Sequence, residues 1–352
     1  MPNRIAVQAR VPDAAARIAV APAMRMFVVL AACVLLAGSV TVVAAAPSGV
    51  AYVADSATIE DRTTSLHVYS PSMDRPIELT VFRAADPDSP APTLYLLNGA
   101  AGGSGGSSWF DRTDIPEFFR DKQVNVVVPM GGDASYYTDW YRDDPVLGRN
   151  QWSTFLAEEL PPVIDAEFDG SGVNSIAGIS MAGTSVLQLA IRNPGVYRAV
   201  ASYSGCAKTS DPLGRAYVRS VVEMRGHGST LNMWGPDSDP AWTENDAYVN
   251  AEKLRGTDIY ISSGSGLPGP LDTIEGPDIA GSPTKLVEQL AVGALIESAT
   301  DRCSKEMQAR LDSLGIPATY NFREDGTHSW GYWQDDMRDS WPLLASSMGV
   351  GQ

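Results

Sequence analysis

The chain of 352 residues is short of basic charge, of histidine and of cysteine. Lys and Arg number 26 against 42 Asp and Glu, for a net charge of −16. Arg4, Arg10, Arg17 and Arg25 all fall within residues 1–46, where Asp13 is the only acid, so the remainder is more acidic still. Such a surface repels polyanions, which argues against nucleic acid or anionic membrane as a charge-driven partner. It suits a protein that acts on neutral or apolar substrates. The three histidines are His67, His227 and His328, which makes the search for a general base short. A Gly-Lys-Ser/Thr phosphate loop and a proper dinucleotide fingerprint are both missing. There is no internal repeat and no low-complexity tract. Hydrophobic residues make up 44% of the chain and charged residues 19%, a globular balance in a length that fits one large α/β domain.

One long apolar run does occur. Met26 to Val43, "MFVVLAACVLLAGSVTVV", follows Arg25 and leads into "AAAPSG". A positive region, an apolar core and small residues form the export pattern, with cleavage expected near Ala45 or Ala46. Residues 1–46 are therefore read as an export segment and 47–352 as the mature protein, secreted or held in the cell envelope. Translation starting at Met24, an uncleaved anchor and a lipoprotein site at Cys33 are the competing readings. Export leaves Cys206 and Cys303 in an oxidising compartment, where a disulfide between them is expected over two free thiols.

Within the mature chain, "SLHVYSP" and "IELTVFRA" read as an antiparallel lead-in. The continuous apolar runs at 93–98, 124–130, 174–180, 199–205 and 258–264 then fit strands buried on both faces of a mainly parallel sheet. Helical patterns lie between them at 152–168, 183–194 and 284–315, the last expected to contain a break. Strand–helix alternation of this kind argues for an α/β fold with helices flanking the sheet. A mostly polar stretch near 207–256 is expected to form a helical insert over the site.

The stretch "SIAGISMAGTSV" places Ser180 between an apolar strand and a helix, with Gly178 two residues before it and Ala182 two after. Small neighbours permit the sharp turn of a nucleophile elbow, and the amide of Met181 then faces an oxyanion hole. A helix-capping serine is the plainer alternative. The glycine-rich "LLNGAAGGSGGSSW" after the strand 93–98 offers Ala100 N–H as a second oxyanion donor. His328 lies late, in a loop between a last strand and a last helix, as the order nucleophile, acid, histidine requires. The acid stays open between Asp272, Glu275, Asp278, Glu288, Glu297, Asp301, Glu306 and Asp312. Any of them could orient an imidazole.

The segments "LYLLNGA", "VVVPMGGDASYYTDWY", "WSTFLAEELP", "AGISMAGTSVLQLA", "MWGPDSDPAWTEND" and "YNFREDGTHSWGYW" resemble the antigen 85 and corynebacterial mycolyltransferases, in family order over residues 93 to 334. The resemblance implies an α/β-hydrolase fold with Ser180 as nucleophile, His328 as base and Glu297 as the acid. It also implies oxyanion donors at Ala100 and Met181, Trp330 beside the histidine, and Asp139 and Trp140 in a segment near the site. Asn98 stands where antigen 85 members carry a trehalose-holding aspartate, and Ala101 where they carry an arginine. This makes trehalose recognition at Asn98 less secure than the acyl chemistry.

The implied reaction transfers a mycoloyl group from trehalose monomycolate, through an ester on Ser180, to trehalose monomycolate or arabinogalactan. Trehalose dimycolate or other envelope lipids would be formed, and no metal or organic cofactor is required. The protein is expected to act as a monomer. A secreted carboxylesterase or thioesterase, a transferase onto protein serines and an inert binding protein on the same fold are the alternatives.

Overall fold

The computed structural model describes residues 49–351. The expected export segment, its cleavage point and Cys33 lie outside the described residues. Among the described residues no helix is long and apolar enough to cross a membrane.

Among the described residues nine strands form one sheet in the order β1-β2-β3-β5-β4-β6-β7-β8-β9. β1 (Tyr52–Glu60), β2 (Thr63–Ser70) and β3 (Arg75–Phe82) are antiparallel, and β3 runs antiparallel to β5 (Asn125–Pro129). From β5 onward the pairing is parallel through β4 (Ala91–Leu97), β6 (Gly170–Ile179), β7 (Tyr197–Tyr203), β8 (Asp258–Ser263) and β9 (Thr319–Phe322). This is an α/β-hydrolase fold. The five apolar runs of the sequence coincide with β4 to β8 because each strand is covered on both faces. β4 and β5 are buried at every position. β1 is exposed along nearly its whole length, so it carries no apolar alternation to betray it.

β4 pairs with β5 on one side and β6 on the other, so the chain reverses its direction of travel across the sheet there. Ligand sites in open α/β sheets form beyond the carboxyl ends of strands at such a switch point. Asn98–Ala101 leave β4 at that end, and Ser180 leaves β6.

The helix Met181–Arg192 is buried at every residue up to Ile191, as expected for a helix enclosed by sheet and insert. The break expected in 284–315 takes the form of a π-helical segment rather than a loop. Pro283–Glu288 passes through a π-helical turn, Gln289–Gly293, into Ala294–Leu314. One wide turn absorbs the irregular pattern, and its Gly293 carbonyl accepts from the His328 amide at 3.3 Å. The insert supplies Pro212–Arg219 and a π-helical continuation, Ser220–Arg225, beside the switch point.

Candidate active site

Ser180 sits at φ 56° and ψ −121°, a left-handed backbone that a residue other than glycine adopts only under constraint. The constraint is visible. The Ser180 amide donates to the Tyr203 carbonyl at 2.9 Å, and the Thr184 amide returns to the Ser180 carbonyl at 3.3 Å. A Cβ on Gly178 would stand 2.8 Å from the Ala182 carbonyl oxygen, so strand and helix meet too closely for any side chain there. The turn holds the Ser180 hydroxyl outward.

His328 Nε2 lies 2.8 Å from Ser180 Oγ, and His328 Nδ1 lies 2.7 Å from Glu297 Oε2. A carboxylate only accepts, so Nδ1 carries the proton and Nε2 is left to accept from the Ser180 hydroxyl. Glu297 is fully buried. Its Oε1 accepts from Ser204 Oγ at 2.8 Å and from the Gly264 amide at 2.6 Å, and Thr300 Oγ1 approaches Oε2 at 3.4 Å. The Trp333 indole donates to Ser204 Oγ at 3.0 Å, and its ring stands edge-on to His328 at 4.8 Å. The imidazole is thus fixed at both nitrogens and on one face.

The histidine loop is anchored by two other acids from the group of eight. Asp272 accepts from Thr327 Oγ1, from the Gly269 amide at 2.8 Å and from Tyr332 OH at 2.9 Å. Asp278 accepts from the Trp330 amide at 2.9 Å, and burial raises its carboxyl above the ordinary range. Asp301 and Glu306 pair with Lys305 and Lys208. Of these acids Glu297 is the one that meets the imidazole.

Ala100 and Met181 lie on the wall beside Ser180, and their amides donate to no protein acceptor among the described residues. The loop carrying Ala100 is a pinned turn. Its Ala100 carbonyl accepts from the Ala134 amide at 3.1 Å, and the Gly102 carbonyl from the Gly131 amide at 2.7 Å. A Cβ at Gly102 would come within 2.6 Å of the Gly131 carbonyl oxygen.

These groups open onto a cavity of about 580 Å³ walled mostly by apolar side chains, among them Tyr217, Val221, Leu295, Ile296 and Trp333. Trp330 is in the wall, stacked edge-on against Trp109 and Trp333. Asn98 is not. It is wholly buried, with Nδ2 donating to the Pro129 carbonyl at 3.0 Å and Oδ1 accepting from the Trp109 amide at 3.2 Å. Both ends of its amide are spent on backbone, which removes it from the substrate-facing surface. Asp139 and Trp140 are likewise outside the wall. Asp139 caps Thr154 through its amide at 3.1 Å and hydroxyl at 2.8 Å, and the Trp140 indole donates to the Ser135 carbonyl at 3.0 Å. Sequence reasoning missed Ser204 and Trp333, although Trp333 lies one helical turn beyond Trp330. A disulfide joins Cys206, in the wall, to Cys303 on the helix that carries Glu297.

A family model described as a putative esterase matches residues 70–344. The diacylglycerol acyltransferase/mycolyltransferase Ag85A of Mycobacterium leprae is 35% identical over 293 residues, 81% of this chain and 83% of that protein. The chain belongs to the antigen 85 mycolyltransferase family of esterases. Another member, Ag85B of Mycolicibacterium smegmatis, is 31% identical and aligns over 93% of this chain and 97% of its own length. Among solved structures, Mycobacterium tuberculosis MPT51 superposes with a TM-score of 0.68 at 23% identity, over 82% of this chain and all of that one. A Staphylococcus aureus fluorophosphonate-binding serine hydrolase superposes at 0.58 and 18%, over 80% of this chain and 96% of that one. These two likenesses concern the fold alone. Within the antigen 85 family, then, this chain keeps a complete Ser–His–Glu hydrogen-bonded chain and buries the position where Asn98 stands.

Proposed function

We propose that this chain is an exported acyltransferase of the cell envelope, with residues 1–46 as its signal and 47–352 as one catalytic domain. The observation that carries the reading is the unbroken chain from Ser180 through His328 to buried Glu297, opening on an apolar cavity. Family membership with proteins named as mycolyltransferases directs it toward mycolate esters.

In the proposed reaction Ser180 Oγ attacks the ester carbonyl of trehalose monomycolate while its proton passes to His328 Nε2. The Ala100 and Met181 amides receive the developing oxyanion, and Glu297 stabilises the imidazolium. The C–O bond to trehalose breaks, the leaving oxygen takes the proton from His328, and the acyl group remains as an ester on Ser180. The hydroxyl of a second sugar, from trehalose monomycolate or arabinogalactan, then gives its proton to His328 and attacks the acyl carbonyl; the bond to Ser180 Oγ breaks, and Oγ recovers the proton from His328. A held acceptor outcompetes water because effective molarities of well-placed groups reach roughly 10⁵ to 10⁸ M. With Asn98 buried, acceptor recognition falls to residues that line the cavity, among them Tyr217, Arg225 and Trp330.

The test is incubation of residues 47–352 with trehalose monomycolate, against a Ser180→Ala control, with lipid analysis by mass spectrometry. Trehalose dimycolate is expected. Free acid alone, even at high trehalose, would replace the transferase reading with a secreted esterase.

A further inference from the structure

Glu297 is not the only acid buried next to the imidazole's support. Asp336, on the helix Trp330–Met348, is also wholly excluded from solvent, and one cation, Arg323, lies between the two. Arg323 follows β9, and its amide donates to the Ser263 carbonyl at 2.9 Å, one residue before the Gly264 amide that holds Glu297. Its Nη1 bonds Asp336, its guanidinium lies over the Tyr332 ring at 5.2 Å, and its Nη2 reaches 4.0 Å from Glu297 Oε1. Arg323 Nε and Nη2 and Asp336 Oδ2 lack hydrogen-bond partners, so charge more than filled hydrogen bonds holds the group together.

The arithmetic of charge follows from the geometry. With both acids ionised, one guanidinium leaves a net of one negative charge beside neutral His328, and protonation of the imidazole brings the group to neutrality. Removing the cation therefore favours the imidazolium, and removing the distal acid disfavours it. The other titratable groups facing this cluster are Tyr203 on β7, Tyr260 on β8, and Asp335 and Asp339 on the Asp336 helix. Both tyrosines are held neutral by burial. Burial pushes the Asp336 carboxyl up to about 7, against the opposing pull of Arg323.

We infer that Arg323 and Asp336 are positioning residues that set the basicity of His328 through Glu297: Arg323 offsets part of the Glu297 charge, and Asp336 governs how much of Arg323 is available to do so. The inference rests on the reading of Ser180, His328 and Glu297 as the acylating unit.

The test is the pH dependence of Ser180 phosphonylation by a fluorophosphonate probe, which needs neither acyl donor nor acceptor. In Arg323→Met the midpoint of the labelling rate should rise by roughly one unit, the size of a Coulomb term at an effective dielectric constant of about 20 across about 10 Å. Arg323→Lys should restore a midpoint close to wild type. Asp336→Asn should move it the opposite way by a smaller amount, because burial pushes the Asp336 carboxyl up to about 7 and leaves it ionised over only part of the range. Opposed displacements in variants with native near-ultraviolet circular dichroism support the inference, since a role in packing alone would lower rates without moving midpoints in opposite directions. A midpoint common to wild type, Arg323→Met and Asp336→Asn overturns it. If Arg323→Met fails to fold, an unchanged midpoint in folded Asp336→Asn overturns it equally. Wild-type protein labelled no faster than Ser180→Ala overturns the nucleophile reading and this inference with it, whereas labelling without acyl transfer sinks only the transferase reading.

Discussion

Ser204 Oγ donates to Glu297 Oε1 at 2.8 Å. That bond joins the end of β7 to the long helix Ala294–Leu314 and makes the acid's orientation a property of the sheet. Ser204 holds φ 51°, so its backbone, like that of Ser180, is bent to place one hydroxyl. Through Trp333, which donates to the same hydroxyl, the imidazole face and the carboxylate share one support. Ser204→Ala should therefore lower kcat/KM by about 10- to 100-fold, the cost of one bond to a buried charge. Glu297→Gln should cost about 10⁴ by presenting the wrong partner to Nδ1. Steady-state kinetics on a chromogenic ester checks both, and a Ser204→Ala enzyme as active as wild type would remove Ser204 from this role.

Two substitutions at the elbow should part stability from activity. Ser180→Gly relieves a left-handed backbone and should hold or raise the denaturation midpoint while abolishing labelling. Gly178→Ala forces a Cβ against the Ala182 carbonyl and should lose both, with about 1–3 kcal/mol of stability gone. Urea unfolding of the two variants beside wild type gives the comparison.

The Cys206–Cys303 bridge closes a sequence separation of 97 residues and ties the cavity wall to the helix bearing Glu297. The double Cys→Ser variant should lose about 2–4 kcal/mol. A reductant should lower the thermal midpoint of wild type and leave the double variant unmoved. Equal midpoints with and without reductant would show that the bridge contributes nothing.

Asp336 makes stability depend on pH with a definite sign. Burial pushes its folded carboxyl up from the ordinary value of 3.8 to about 7. The folded state therefore keeps a proton that the unfolded state releases. The Asp336 contribution is most favourable below the unfolded value, declines as pH rises through this window, and is level above about 7. Asp336→Asn should remove that slope, so its thermal midpoint should gain on wild type between pH 4 and pH 7.5, approximately the window from the ordinary to the shifted value. A parallel course of the two proteins over that range would refute the assignment.

Much of this molecule was legible in one dimension. Apolar runs fixed β4 to β8 because strands covered on both faces leave no polar alternation. Ser180 and Met181 could be read locally because an elbow demands small neighbours within two residues, and His328 could be read from chain order among three histidines. What the residues alone left open was the acid. Eight carboxylates lie between β8 and β9, and separating Glu297 from Asp272 and Asp278 took the family pattern in sequence and the packing of the long helix beside β8 in space. Asn98 shows the reverse case. Its match to the family's trehalose-holding aspartate suggested a substrate contact, yet the fold turns its amide inward onto Pro129 and Trp109. Local backbone geometry is written in short stretches of sequence. Which polar group faces a cavity and which is consumed beneath it depends on partners many residues away, and only the assembled sheet decides that.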